Sequence, residues 1–197
     1  IKLILSESLF NKVEVYQANS GTEEMFKSLS GNSPSIIHIA THGFSLEPES
    51  ARSYYDYNSY CMGHSGLLMS GVLSNAFLDK DSVVVEDGFL KSSEIALLDL
   101  SGTELLVLSA CNTGKLGLSY LGLSGLQNAF KAAGVKTILL TLDDIDDAAT
   151  FIFMVTFYKN LIEGDSKREA LRNAQRILRE SELFGDFYYW CNFVLVD

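Results

Sequence analysis

Apolar and polar positions along the chain switch repeatedly between two periods, and that switching predicts the fold class. Apolar runs at 35–40, 104–110 and 136–142 read as strands, the last two continuous enough to be buried on both faces of a sheet. Helical spacing fills the intervals. Leu126, Ala129, Phe130 and Ala133 mark a helix stopped by Gly134, and Phe151, Val155, Tyr158 and Ile162 set the inward face of another that ends at Gly164. Ser166 with Glu169 forms a capping box that opens a last helix, whose Ala170, Leu171, Ala174, Ile177 and Leu178 face inward. Residues 193–196 close the chain as a strand. Strands alternating with helices predict an α/β sandwich around a mostly parallel sheet.

The remaining segments are less regular. Ile1, Ile4, Leu5 and Leu9 repeat at helical spacing, so residues 1–9 read as the end of a helix begun upstream, and the chain is expected to be part of a longer protein. Residues 12–17 alternate as a strand, Ser20 with Glu23 gives a capping box for a helix over 21–29, and 94–98 is a short helix. From Phe44 to about Gly66 the sequence is rich in Tyr, Ser and Asn without periodicity. It predicts a long loop, poorly ordered until a ligand or partner binds, leading into a strand at 66–70.

Composition narrows the function classes. A chain of 197 residues, 47% apolar, supports one well-buried core, so residues 1–197 are read as a single domain. The formal charge of −10 works against binding a phosphate backbone, which excludes nucleic acid as the expected partner. No apolar run approaches the ~20 residues of a membrane-spanning helix. The three cysteines Cys61, Cys111 and Cys191 are odd in number and widely spaced, which gives neither a disulfide framework nor a metal motif and fits a reducing cytoplasm. No cofactor and no metal site are expected.

Three constellations could carry chemistry. His42 follows the strand at 35–40, and Cys111 follows the strand at 104–110. If the two strands are parallel neighbours, both side chains emerge at the carboxyl edge, where open α/β sheets place their ligands. A thiol beside an imidazole is the minimum equipment of a thiol hydrolase. Taken alone, Cys111 is as readily a small hydrophobe of the core, and His42 a residue at the core's edge. His38, four residues earlier, would share a strand face with Ala40 and His42, but no third ligand has a spacing that suits a metal. The third constellation is Asp143, Asp144, Asp146 and Asp147, four carboxylates in five residues. One or two suit a helix N-terminus; the surplus suits a basic substrate side chain, with a solvated acidic turn as the plain alternative. Arg168, Arg172, Arg176 and Arg179 line one face of the last helix, as a solvated face or as a dock for an acidic partner surface.

Together the segments 38–43 (HIATHG), 65–71 (SGLLMSG), 87–95 (DGFLKSSEI), 106–114 (LVLSACNTG), 125–130 (GLQNAF) and 188–196 (YYWCNFVLV) resemble the CHAT-domain family of caspase-like cysteine peptidases, relatives of caspases and separase. The resemblance implies a caspase-like three-layer α/β sandwich, with His42 as general base and acid and Cys111 as nucleophile. It also implies the N–H groups of Gly43 and Cys111 as oxyanion donors, and Ser109 in the pocket for the residue before the cut bond. The implied partners are a protein or peptide substrate and a helical-repeat region upstream. One departure stands out: Thr141-Leu142-Asp143 replaces the family's Ser-Leu-Trp, so a carboxylate sits where the substrate pocket usually has a tryptophan. The competing expectations are a catalytically silent binding module that kept the fold, and a small-molecule thiol hydrolase.

Overall fold

Uninterrupted apolar runs become the central sheet. The computed structural model describes residues 12–45, 63–72, 86–109 and 120–197. Strands β1 (Ile36–Ala40), β5 (Leu105–Ser109), β6 (Ile138–Thr141) and β7 (Phe193–Val196) form a four-stranded sheet in the order β1-β5-β6-β7. A second sheet joins β2 (Gly43–Ser45), β3 (Ser65–Leu68) and β4 (Phe89–Lys91) as antiparallel neighbours. The helices are α1 (Glu23–Lys27), α2 (Ser92–Ile95), α3 (Tyr120–Ala132), α4 (Asp147–Glu163), α5 (Lys167–Arg179) and α6 (Phe187–Cys191). This is the expected α/β architecture, a mostly parallel central sheet flanked by helices.

Two compact units divide the chain, with the boundary inside β6. The first comprises Tyr16–Leu139 and Asp197. Its core gathers Leu105, Leu106, Val107 and Leu108 of β5 with Leu126, Ala129 and Phe130 of α3, all essentially without solvent contact. Phe26 of α1 meets Phe130 edge to face with ring centroids 6.3 Å apart, the arrangement aromatic quadrupoles favour. In β3, a Cβ on Gly66 would lie 2.3 Å from the Leu90 carbonyl oxygen. Only glycine therefore lets β3 and β4 approach this closely. Beside it the hydroxyls of Ser65 and Ser92 satisfy each other at 2.9 Å, both buried.

The second unit contains the described residues before Tyr16 and Leu140–Val196. Helix α4 is capped by Asp146, whose carboxylate accepts from the N–H groups of Ala148 and Ala149, and ends at Gly164 with φ 100°. Its Phe153 stacks on Phe193 of β7 at 3.6 Å between centroids and runs nearly parallel to Phe157. Asn173 of α5 donates to Asn160 and Asp165, tying α5 to the end of α4.

Several local expectations need correction. Residues 12–17 form no strand: they join no sheet, and Val15 and Tyr16 stay nearly half exposed, so the alternating pattern finds no surface to bury against. The first helix is capped by Thr22, which accepts from the Met25 N–H; Ser20 ends a 3-10 turn at Ala18–Ser20. Phe44 and Ser45 are not loop but β2, and Phe44 is buried. In α4 the buried face is Ala149, Phe153, Met154, Phe157 and Tyr158, and Phe151 is 61% exposed. That helix is apolar on nearly every side, so spacing alone does not choose the stripe; stacking with Phe193 does. Ile177 of α5 likewise points outward. The helix at 1–9 and the loop segment 46–62 lie outside the described residues.

Candidate active site

The carboxyl edge of the β1/β5 pair is built by register. The strands are parallel, with Ile36 opposite Leu105, His38 opposite Val107 and Ala40 opposite Ser109. Both end together, β1 two residues before His42 and β5 two residues before Cys111. Cys111 itself lies outside the described residues.

His42 stands outside β1 rather than on a strand face shared with His38, because β1 stops at Ala40. One residue of β3 holds the chain here at two successive positions. The Leu68 N–H donates to the His42 carbonyl at 2.8 Å, and the Thr41 hydroxyl donates to the Leu68 carbonyl at 2.6 Å. The chain is fixed there while His42 remains solvent-exposed. Thr41 and Leu68 are thus positioning residues that sequence reasoning missed. Both sit in the motifs HIATHG and SGLLMSG, where only His42 and Gly43 carry an expected role.

Gly43 opens β2 opposite Leu67, buried. The bond from Leu68 N–H to the His42 carbonyl makes 42/68 a hydrogen-bonded position of the antiparallel ladder, so 43/67 is a non-bonded one. The Gly43 N–H therefore points away from β3.

His38 and Ser109 meet across the β1/β5 register, Nε2 to Oγ at 3.4 Å. Burial of the ring pushes the His38 pKa down to about 4, because desolvation disfavours the imidazolium. At neutral pH this histidine is uncharged and can exchange a hydrogen bond with Ser109 in either direction, according to its tautomer.

The four aspartates belong to the other compact unit. Asp146 is used as the α4 cap. Asp143 accepts from the Asp144 N–H at 2.8 Å, which folds the turn on itself. Asp144 is half-buried, one of its carboxylate oxygens is enclosed with no hydrogen-bond partner among the described residues, and its carbonyl accepts from the Tyr188 hydroxyl. Asp147 begins the helix and is exposed.

One cluster of carboxylates close enough to hold a metal occurs among the described residues: Glu23, Glu86 and Glu94. The Lys27 ammonium occupies its centre, 2.7, 2.7 and 2.8 Å from the three. Burial disfavours that charge, but the three carboxylates outweigh it and hold the lysine well above its ordinary pKa. The fixed cation already supplies what a metal would bring.

No described helix is long and apolar enough to cross a membrane. Tetratricopeptide repeat protein 28 from Mus musculus is 32% identical over 101 residues, covering 51% of this chain and 4% of the relative. The Homo sapiens protein of the same name is 27% identical over 116 residues, 59% of this chain and 5% of the relative. The chain thus spans only about a twentieth of the length of these curated relatives. The CHAT domain family model matches residues 4–197, almost the whole chain, and with the α/β architecture this places the chain in the caspase-like CHAT domain family.

Proposed function

We propose that this CHAT domain is a cysteine endopeptidase acting on protein substrates through His42 and Cys111. The observation that carries the reading is the parallel β1/β5 register, which ends with Ala40 opposite Ser109 and sends both chains off the same edge two residues before the two reactive groups. His42 takes the thiol proton as the Cys111 sulfur attacks the scissile carbonyl, then gives that proton to the departing amine. The resulting Cys111 thioester is cleaved by water, which regenerates the thiol and releases the new carboxyl end. The outward Gly43 N–H supports its role as an oxyanion donor beside the Cys111 N–H, since a donor held by a strand needs no rearrangement when charge develops. Ser109 is then the residue that lines the pocket before the cut bond, with His38 fixing its hydroxyl.

A preference for Lys or Arg before that bond follows from the acidic run, on its charge and not on its position. Of the four, Asp144 is the strongest contributor, having an enclosed oxygen with no partner among the described residues, and Asp146 the weakest, being a cap. The relatives' name, tetratricopeptide repeat protein, supports a helical-repeat region in the full-length protein, and a cytoplasmic setting suits a free thiol nucleophile.

A peptide electrophile tests the dyad: Cys111 is expected to be labelled faster than Cys61 or Cys191, and His42→Ala to slow that labelling at least tenfold. Cleavage-site mapping in a cell lysate with wild type and Cys111→Ala gives the second arm. Sites shared by both proteins, or labelling unaffected by His42→Ala, would leave the silent binding module as the function.

A further inference from the structure

The strongest unassigned surface lies on α5. Arg172, Arg176 and Arg179 recur at spacings of four and three, so they share one exposed face of the helix. With Asn173, Gln175 and Trp190 they line a half-open groove of about 330 Å³. The floor is rigid. Gln175 donates to the carbonyls of Trp190 and Phe193, both at 3.1 Å, and the Trp190 indole N–H donates to the Gly185 carbonyl. The aromatic wall continues outward, since Phe187 packs edge to face on Trp190 at 4.9 Å and is 66% exposed.

The charge of this groove runs against that of the chain. The protein carries −10, yet here three guanidiniums converge. None of the three forms an ion pair with a carboxylate among the described residues; Arg176 donates only to Asn173 at 3.3 Å, three residues back on the same helix. The one acid within α5 is Glu169, three residues before Arg172, and its carboxylate already accepts from the Ser166 N–H and hydroxyl in the capping box, so the arginines outnumber the acids of their own helix. Arginine and tryptophan are also the side chains that most often carry binding energy in protein interfaces, because one pairs bidentately with carboxylates and the other offers a large apolar plate.

We propose that the α5 groove is a docking site for an acidic protein segment bearing an apolar side chain. Its Asp and Glu carboxylates pair with Arg172, Arg176 and Arg179, and its apolar residue rests on Trp190 and Phe187. This surface is independent of the thiol chemistry proposed above. It would select which proteins the domain engages whether or not it cleaves them.

Trp190 is the single tryptophan of the chain, so its emission reports on the groove directly. The probe is a twelve-residue peptide alternating glutamate pairs with leucine, titrated into the chain at low salt while Trp190 fluorescence is followed. A saturable change in emission is expected, with affinity falling about tenfold or more from 50 to 300 mM salt. The triple variant R172Q/R176Q/R179Q should lose at least tenfold in affinity, and Lys159→Gln, off the groove, should bind as wild type does. Trp190→Leu, followed by anisotropy of a labelled peptide, separates apolar from charge contributions and should weaken binding severalfold. Equal affinity in the triple variant and wild type would overturn the proposal. So would tighter saturable binding of a single-stranded oligonucleotide, or of vesicles with one-third anionic lipid, than of the peptide.

Discussion

Two half-buried polar clusters lie in the Tyr16–Leu139 unit, and they treat charge in opposite ways. Around Lys27, one cation and three carboxylates close on each other, and the second oxygens of Glu23 and Glu94 accept from the Gly88 and Lys91 N–H groups at 2.9 Å. The lysine's charge is answered on three sides, which makes the cluster a structural tie. At the β1/β5 edge the half-buried partners are kept neutral: desolvation holds His38 unprotonated, and Ser109 meets it at a long 3.4 Å. Beside them the His42 backbone is held by Leu68, and the residue is exposed to solvent. The contrast teaches where to look for function in a fold of this kind. A cluster whose charges answer one another is a clamp, and an edge that keeps a neutral imidazole and an exposed one side by side is the better place to look for chemistry.

Removing the cation should break the clamp with the largest effect. Glu23 is 2% exposed and would keep its negative charge beside two other carboxylates. Lys27→Met is expected to cost roughly 2–4 kcal/mol of unfolding free energy, somewhat less than for a wholly buried pair because the lysine retains solvent contact. The loss should shrink toward pH 4, since carboxylates stripped of their counter-ion have raised folded-state pKa values and regain stability once protonated. Urea unfolding of the variant at pH 7 and pH 4 measures both. A penalty below 1 kcal/mol at pH 7 would mean that the cluster is surface decoration.

The neutral edge should show the opposite dependence on its own proton. His38 has a folded pKa of about 4 against 6.5 when unfolded, so the unfolded chain binds more protons between these values. Its contribution is fully present above pH 6.5 and is lost as pH falls toward 4, by no more than about 3 kcal/mol for a shift of this size, and by less because the ring is not wholly enclosed. His38→Asn keeps a polar group near Ser109 and removes the titration. Wild type should lose stability from pH 6.5 to 4.5 more steeply than the variant, and parallel curves would show that the ring is solvated after all.

The same contrast explains what could be read from the sequence. Side chains that act on their own backbone were legible: the Ser166/Glu169 capping box and Gly164 fix α5 and the end of α4 as expected. So were β5 and β6, because a strand buried on both faces leaves no polar position to confuse the period. What failed depended on a distant partner. Nothing local says that Phe153 rather than Phe151 faces inward until Phe193 is in place. Nothing local makes Gly43–Ser45 a strand until β3 pairs with it, or denies one to residues 12–17 until no neighbour arrives. At the candidate site the sequence offers His42 as a residue but not the hold that Leu68 has on it and on Thr41, since the Thr41–Leu68 bond crosses 27 residues of sequence.

The smallest effect should come from the rim of the clamp. Lys91 and Asp87 form an ion pair at 3.7 Å, both more than two-fifths exposed. At that exposure water screens the charges and both side chains give up rotamer freedom to meet, so the pair is worth roughly 0–0.5 kcal/mol. The Lys91 backbone N–H nevertheless anchors Glu94, which in turn reaches Lys27. Lys91→Ala keeps that N–H and removes only the exposed charge, so its unfolding midpoint in urea should stay within error of wild type and be indifferent to salt. Lys27→Met should change with salt, because added ions screen the repulsion left among the three carboxylates. A Lys91→Ala penalty approaching that of Lys27→Met would show that the clamp extends to its exposed rim and is not confined to the enclosed lysine.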